Sequence, residues 1–421
     1  MARTLTPRDC HALVNLLVKQ ITGQQDITVT DTSSFVSAGE LILSSGMEDV
    51  FNALNILLNR TIIASRPYSA KLNMIQAENE SAYSSRARKV SFYSKDALPS
   101  GAFNTDLFTN FGEGFTSGIN DDASTKSQWE QHQPMPLEMN FAGVSTWQDC
   151  ITMYEDAVKY AFTSEEEFAR FVSGYLTEHG NDIESQKEAW NRMAIINKIA
   201  SVYDMSSYMP GSVVNLTSAF NDRFGTDYSS YELRSTYLKE FLEFFVATFK
   251  NVSRFMTNRS SKNHWAVPIT VGDNTYKILR HTPYRDQRVI LYGPLYTEAE
   301  AMVLPEIFRP EYLDINTQFE EVDFWQAEAA GPAIDVSPAI TMANMSDSNY
   351  GKQINGDQTS LGYVVGMIFD KDALMTSYKL ENVRTTPVEA RKGYRNTWNT
   401  FARNIISDNT ENCVIFIMED D

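Results

Sequence analysis

Two short apolar runs decide the fold: Tyr363-Val364-Val365-Gly366-Met367-Ile368-Phe369, which stops at Asp370-Lys371-Asp372, and Cys413-Val414-Ile415-Phe416-Ile417-Met418, which stops at Glu419-Asp420-Asp421. Apolar runs of this length that end abruptly in charged residues predict strands covered on both faces. The residues between the two runs include no histidine and only scattered carboxylates. We therefore expect this segment to close a sheet and to carry no chemistry.

Length and composition predict a folded protein of two or three domains. The chain has 421 residues, of which 43% are hydrophobic and 21% are charged, as in ordinary globular proteins. Its net charge is −18. Nucleic-acid affinity comes mainly from Lys and Arg side chains that neutralise phosphates, so this balance argues against a surface that grips DNA.

The cysteines and the hydropathy of the chain indicate the kind of cellular compartment to expect. The three cysteines, Cys10, Cys150 and Cys413, are scattered and odd in number, which argues against a disulfide framework or a zinc site and favours a reducing compartment. The first residues lack the apolar core of a signal peptide. No apolar stretch approaches the ~18 residues of a membrane span, so we expect no membrane association.

The chain reads as five segments. A short helix is predicted over residues 7–21 and a second helix over Val36 to Leu58. A long segment with few helix signals follows, and it predicts an extended hairpin or arm that packs on something else, because it is too long for a plain loop. A helical stretch over 145–203 comes next, interrupted at Gly180-Asn181-Asp182. A mixed segment follows, with a loop-like stretch over 326–360 and a strong helix over Tyr237 to Val252, whose apolar face is formed by Leu238, Phe241, Leu242, Phe245 and Phe249. The segments are 1–59, 60–141, 142–203, 204–360 and 361–421.

No motif points to catalysis, a cofactor or a metal. The five histidines stand apart, without the spacing of metal ligands, and phosphate-binding and nucleophile motifs are missing from the sequence. Glu320-Glu321 followed by Asp323 keeps one alternative open, an acidic carbohydrate-active enzyme. Neighbouring positions in a sequence do not set the separation between carboxylates on which that chemistry depends.

One basic cluster stands out in this acidic chain, at Ser84 to Lys89. It is a candidate to meet an acidic patch on a neighbouring copy, and a solvated hairpin tip is the alternative. We predict inter-subunit contacts at basic and aromatic residues of the arm. They are Arg86, Arg88, Lys89, Phe92, Tyr93, Phe103 and Phe111.

The order of these segments resembles that of tailed-bacteriophage major capsid proteins of the Hong Kong 97 type, and most closely those of short-tailed phages of the phi-29 type. The resemblance extends over residues 35–418. The segments that carry it are Asp156 to Phe162 with Ser164, Phe168 and Phe171-Val172; Arg285-Asp286 with Val289 to Tyr292 and the helix from Thr297; Phe369 to Asp372 with Met375, Tyr378, Val383-Arg384, Tyr394, Trp398-Asn399-Thr400, Ser407 and Asn412; and Val414-Ile415-Phe416.

This resemblance implies an α+β capsid fold. It assigns an N-terminal arm and helix to 1–59, an extended loop to 60–141 and a peripheral domain with a spine helix to 142–203. It assigns an axial domain to 204–360 and the closing sheet of the peripheral domain to 361–421.

The implied function is that of a shell subunit. It would assemble as hexamers and pentamers into an icosahedral head around double-stranded DNA, without binding specific sequences. Scaffolding and portal proteins would be partners, with decoration or head-fibre proteins as further candidates. The resemblance implies no catalysis, cofactor, metal or membrane, and it implies assembly in the bacterial cytoplasm and a final place in the virion. A portal or tail protein is the alternative within the virion.

Overall fold

The structure is a computed structural model. It describes residues 14–15, 18–19, 29, 32–44, 69–76, 86–93, 135–142, 145–162, 165–271, 274–302, 319–341 and 353–420. The predicted contacts Phe103 and Phe111 lie outside these residues, as does most of the predicted arm.

The described chain contains both helices and strands, and its last nine strands follow the last α-helix. The helices are α1 (Thr32–Ser44), α2 (Glu155–Ala161), α3 (Glu165–Asp204), α4 (Leu216–Phe224), α5 (Ser230–Ser235), α6 (Leu238–Met256) and α7 (Gly293–Met302). The strands are β1 (Arg86–Phe92), β2 (Pro136–Ala142), β3 (Ser145–Tyr154), β4 (Val213–Asn215), β5 (Ile269–Val271), β6 (Asn274–Tyr276), β7 (Gln287–Tyr292), β8 (Phe319–Val322), β9 (Ile334–Val336), β10 (Ala339–Thr341), β11 (Gln353–Asn355), β12 (Thr359–Leu361), β13 (Val364–Asp370), β14 (Leu374–Thr385), β15 (Tyr394–Ser407) and β16 (Cys413–Ile417).

The chain divides into two compact units, each built from three stretches of sequence. The first unit contains 1–85, 143–194 and 375–405, and the second contains 86–142, 195–374 and 406–421. The boundaries of these two units do not correspond to those of the five predicted segments, so the five-segment organisation stays a prediction.

A five-stranded sheet forms the centre of the second unit, in the order β4-β16-β13-β7-β8. Every residue of β13 and β16 is buried, and the two strands pair antiparallel. The prediction of strands covered on both faces is therefore confirmed. Gly366 sits at an irregularity in this pairing, where a Cβ atom would approach the Ile290 carbonyl oxygen to 2.6 Å. Only glycine leaves the backbone room there.

Helix α6 packs on the central sheet, within the same unit. The predicted helical face is confirmed, since Phe241, Leu242, Phe245 and Phe249 are all buried. The rings of Phe245 and Phe249 lie 5.8 Å and 5.6 Å from that of Phe416. Each such side chain contributes roughly 1.5–3 kcal/mol when fully buried.

The first unit contains a three-stranded sheet in the order β14-β15-β3. Here the prediction of helix from residue 145 is wrong, because Ser145–Tyr154 is a strand paired antiparallel with β15. Trp147 and Ile151 are four residues apart, which places them on one side of a helix and also on one side of a strand. That spacing alone could not separate the two structures.

The predicted interruption at Gly180-Asn181-Asp182 is also wrong, because α3 is continuous for 40 residues. A glycine inside a helix costs about 1 kcal/mol relative to alanine. The flanking residues His179 and Ile183 are buried, and their burial outweighs that cost.

Three-residue strands replace much of the predicted loop at 326–360. β9 pairs with β12 and β10 pairs with β11, both antiparallel. Of the predicted helix from Val36 to Leu58, the structure describes α1, which begins earlier, at Thr32.

Candidate subunit-contact site

The basic cluster lies on a hairpin of the second unit. β1 and β2 pair antiparallel from Arg86 with Ala142 to Phe92 with Pro136. Beyond the last pair, the Tyr93 amide donates to the Met135 carbonyl at 3.0 Å. Residues 94–134 therefore leave and re-enter the described chain at the closed end of this hairpin.

The hairpin has two unlike faces. Ser91 and Tyr93 are buried and Lys89 is half-buried, whereas Val90 and Phe92 are 44% and 57% exposed. This is the alternation expected of a strand that is covered on one side. We call the side of Lys89, Ser91 and Tyr93 the inner face and that of Val90 and Phe92 the outer face. Predicted contact residues therefore lie on both faces.

Partly buried ion pairs hold the inner face. The Lys89 ammonium contacts the carboxylates of both Asp408 and Glu411. The Arg280 guanidinium lies 3.2 Å from the Glu411 carboxylate and donates to the Ser91 hydroxyl on the hairpin. We call these five residues, Lys89, Ser91, Arg280, Asp408 and Glu411, the hairpin anchor. It fixes the hairpin to the segment just before β16.

That segment is itself held rigidly. The Asp408 carboxylate accepts from the Thr410 amide and hydroxyl, both at 2.8 Å. The ammonium of Lys198, on α3, donates to the Asp408 carbonyl and to the Asn409 side chain, each at 2.8 Å. Lys198 is completely buried, so these two bonds satisfy a group that would be costly to leave unpaired.

The anchor shifts the pKa of its members in different directions. Burial alone would raise the pKa of Asp408, but Lys89 and the Thr410 donors hold it below its ordinary value. Burial keeps the pKa of Glu411 raised, despite Lys89 and Arg280. Burial also opposes the charge of Lys89, but the two carboxylates outweigh it and the pKa of Lys89 is raised.

A second buried polar network adjoins the anchor through Asn412. Its amide oxygen lies 3.2 Å from Nδ1 of the buried His264, and its amide nitrogen donates to Thr282 at 3.1 Å. The Thr282 hydroxyl donates to the Asp370 carboxylate at 2.7 Å. Burial lowers the pKa of His264 and raises that of Asp370. Asp370 therefore faces the interior of its own subunit.

The structure brings together only part of the predicted set. Lys89 and Tyr93 face their own subunit, and Phe92 faces outward. Arg86 and Arg88 occupy even positions of β1, like Phe92. Sequence reasoning missed Asp408, Glu411, Arg280 and Lys198. One signal was present, since five polar residues, 408–412, directly precede the fully covered strand β16.

The carboxylates of the enzyme alternative do not form a convergent set. Glu320 and Glu321 are consecutive residues of β8, so they point to opposite faces, and Glu321 and Asp323 are exposed. Within the described residues, no group of three or more acidic, histidine or cysteine side chains is placed to hold a metal ion. None of the described helices has the length and hydropathy needed to cross a membrane.

A solved phage capsid structure shares this fold, and others are similar to it at lower scores. A chain of the capsid of Staphylococcus phage Andhra aligns with a TM-score of 0.52 at 12% identity, over 84% of this chain and 85% of that one. A chain from the structure of the head fibre and inner core protein of native bacteriophage P68 gives 0.49 at 11% identity, over 84% and 86%. One from the mature capsid of bacteriophage PhiM1 gives 0.40 at 8%, over 84% and 88%. The fold is that of the Hong Kong 97-type phage capsid proteins.

Sequence comparison then identifies the family. The model of the Phi29-like phage major capsid protein matches residues 95–417. This chain belongs to that family. No curated protein sequence matches it. The chain is therefore a structural component of the virion that assembles with itself into the head shell, and the resemblance noted from its sequence is confirmed. The portal and tail alternatives are set aside.

Proposed function

We propose that this chain assembles as hexamers and pentamers into an icosahedral head shell around double-stranded DNA, and that its hairpin contacts a neighbouring copy. One observation carries the second part: the inner face of the hairpin is held by its own subunit, while the outer face is open. A fixed root presents the outer face in a defined direction. It therefore lowers the entropy lost when two copies dock.

The chemistry of the outer face suits such a contact. Phe92 and Val90 are large apolar side chains left exposed on adjacent even positions of one strand, and aromatic residues are enriched at interface centres. Arg86 and Arg88 lie on the same strand of a chain whose net charge is −18. Basic residues in this position would be attracted to the acidic surface of another copy. Arg86, Arg88 and Phe92, with Phe103 and Phe111 beyond the described strand, are thus the proposed contacts. Lys89 and Tyr93 serve the same contact from the inner face, where they position the strand.

The predicted domain organisation becomes part of the proposal. Residues 60–141 would form the extended loop, with the hairpin as its root, and 1–59 the N-terminal arm. Helix α3, at roughly 60 Å in length, would be the spine helix of the peripheral domain that 361–421 completes. Residues 204–360 would form the axial domain. The family resemblance supports this assignment.

The remaining partners are proposed on the same ground. Scaffolding and portal proteins would take part in assembly in the host cytoplasm, and decoration or head-fibre proteins would attach afterwards. The net charge of −18 supports a shell that encloses DNA without gripping it, since few cations are available to neutralise phosphates. We propose no catalytic activity, cofactor or metal.

The first test separates folding from assembly. Residues 95–133 are replaced by a short glycine-serine turn, which keeps β1, β2 and the Tyr93–Met135 closure. We expect a subunit that unfolds as cooperatively as the wild type but forms no closed shells in negative-stain electron microscopy, because a stable interface needs about 1,200–2,000 Å² of buried surface.

The wild-type chain, expressed with its scaffolding protein, is the control. Shells from the shortened variant would contradict the role of the loop. A wild-type chain that stays dispersed under the same conditions would contradict the proposed assembly itself.

A further inference from the structure

In the sheet of the first unit, charged side chains of β3 and β15 lie on the covered face and not on the exposed one. β3 and β15 pair without interruption from Ser145 with Arg403 to Tyr154 with Tyr394, so alternate residues of each strand share one face. One face is directed at α3, and the other is open. The even positions of β3 and β15, five on each strand, lie on the open face, and each of these residues is uncharged. The third strand, β14, adds one exposed cation among its described side chains, Arg384.

Charged groups are instead on the covered face. The Asp149 carboxylate lies 2.8 Å from Nδ1 of His179 on α3, and the side chain of Asn399 lies 2.7 Å from Nε2 of the same ring. The Arg403 guanidinium sits 4.0 Å from the centre of the Trp190 ring. Strands that face water usually show the reverse pattern, with charges outward.

Polar groups on the open face are already paired with each other. The Thr152 hydroxyl donates to the Asn396 side chain at 2.8 Å, and the Gln148 amide donates to the Thr400 hydroxyl at 3.3 Å. The rings of Tyr154 and Tyr394 lie 5.9 Å apart. Because these groups have partners within the face, covering them costs little hydrogen-bond energy.

We infer that this open face is a second contact surface, and that it takes another copy of this chain. The inference rests on the proposed shell assembly but not on the hairpin. Two copies that each carry a net charge of −18 repel each other overall, and a face with few charged residues adds little to that repulsion. Trp398 and Tyr154, which are 39% and 52% exposed, are the residue types that anchor interfaces.

DNA is disfavoured as the occupant by the same observation. A surface that binds DNA needs several cations to neutralise phosphates. The even positions of β3 and β15 present none, and Arg384 is a single one among the described side chains of β14. The scaffolding protein is the other rival, and the experiment below distinguishes all three.

Cys150 supplies a probe at the centre of the face, since it stands directly opposite Trp398 in the ladder. It is half-buried, and burial followed by the nearby Asp149 charge raises the pKa of its thiol. Cys413 is fully buried, and burial raises its pKa to about 11, so it contributes little labelling. In a Cys10→Ser background, labelling by N-ethylmaleimide at mildly alkaline pH therefore reports on Cys150.

We expect labelling of Cys150 to slow several-fold in empty shells freed of scaffold, relative to unassembled subunits. Equal rates would overturn the inference. Protection seen only in scaffold-filled shells, or only in DNA-filled heads, would also overturn it, because the occupant would then be the scaffold or DNA.

A charge placed on the face gives an independent readout. Trp398→Glu should leave cooperative unfolding in place but abolish shells, whereas Trp398→Phe should assemble. Shells from Trp398→Glu would contradict the inference even though the wild type assembles. Failure of the wild type to assemble would instead count against the proposed function.

Discussion

The central sheet and the hairpin of the second unit are both made of strands, but different forces hold them. β13 and β16 are buried along their whole length and lie under α6. The hairpin buries only its inner face, and charged groups fix it there. Apolar burial is strong but non-directional, whereas an ion pair holds one atom against another.

Stability and orientation come from different parts of this subunit. An apolar sheet interior tolerates swaps between apolar side chains of similar size, so only changes that disturb its burial should affect folding. A hairpin tied by Lys89 keeps a defined direction only while its partners are in place. We therefore expect mutations in the sheet to act on folding and mutations at the anchor to act on the position of the hairpin.

The largest effect should follow from Ile415→Asp. Ile415 is fully buried between Met367 of β13 and Val213 of β4, and an unpaired charge there costs several kcal/mol against a total stability of about 5–15 kcal/mol. We expect no cooperative unfolding transition by circular dichroism. Ile415→Val, which should cost about 0.5–1.5 kcal/mol, is the matched control. If Ile415→Asp unfolds at the same temperature as the wild type, folding does not depend on the buried central sheet.

Lys89→Met should have an intermediate effect. It leaves Asp408 and Glu411 without their shared cation, and breaking a buried pair costs about 3–5 kcal/mol. We expect about 2 kcal/mol, because 25% of the Lys89 side chain is exposed and solvent screens it. Hydrogen exchange should quicken at the β1 amides and stay slow in β13.

Lys89→Arg keeps the charge and serves as the control for that experiment. Exchange that quickens equally in β1 and β13 would show that the anchor supports the whole unit rather than the hairpin. That outcome would remove the contrast between the two regions.

The pH dependence of stability should show the two carboxylates acting with opposite sign. Between the lowered folded pKa of Asp408 and about 3.9 in the unfolded chain, the unfolded state binds more protons, so stability rises with pH. Between about 4.3 for an unfolded glutamate and the raised folded pKa of Glu411, the native state binds more, so stability falls as pH rises.

Urea unfolding across this range should therefore respond differently in two matched variants. Asp408→Asn should weaken the rise on the acid side, and Glu411→Gln should weaken the fall that follows it. Slopes that change in the same direction in both variants would show that the ion pairs are not divided as the structure indicates.

Phe92→Ser should have the smallest effect on stability. Phe92 is exposed on the outer face, and substitutions at such sites usually change the free energy of unfolding by less than about 0.5 kcal/mol. Shell yield should nevertheless fall, because the proposed contact is lost. Tyr93→Ser, at the buried neighbour, should instead lower the unfolding temperature. Normal shell yield from Phe92→Ser would argue against the outer face as a contact.

The sequence predicts the central sheet well and the hairpin anchor hardly at all, for a physical reason. Consecutive apolar residues predict the burial of β13 and β16, so a local sequence pattern is sufficient to find these strands. Lys89 and Asp408 are separated by 319 residues, so nothing local indicates that they meet. The basic cluster drew attention to Lys89 but could not show that it faces inward.

The misassigned strand β3 shows a different limit. Trp147 and Ile151 fit both periods, and the choice between them depends on pairing with β15, which is remote in sequence. The open face of that pair was hidden by the same error, since its uncharged character emerges only when alternate residues are grouped. Family resemblance recovered the fold class but not these contacts.

A cryo-electron microscopy map of assembled shells, at a resolution that shows side chains, would show directly whether the outer face of the hairpin contacts another copy. We expect Lys89 still to contact Asp408 and Glu411 of its own chain, while Val90 and Phe92 lie against another copy. Lys89 paired with carboxylates of a neighbouring copy, or Phe92 exposed to solvent in the finished shell, would contradict this expectation.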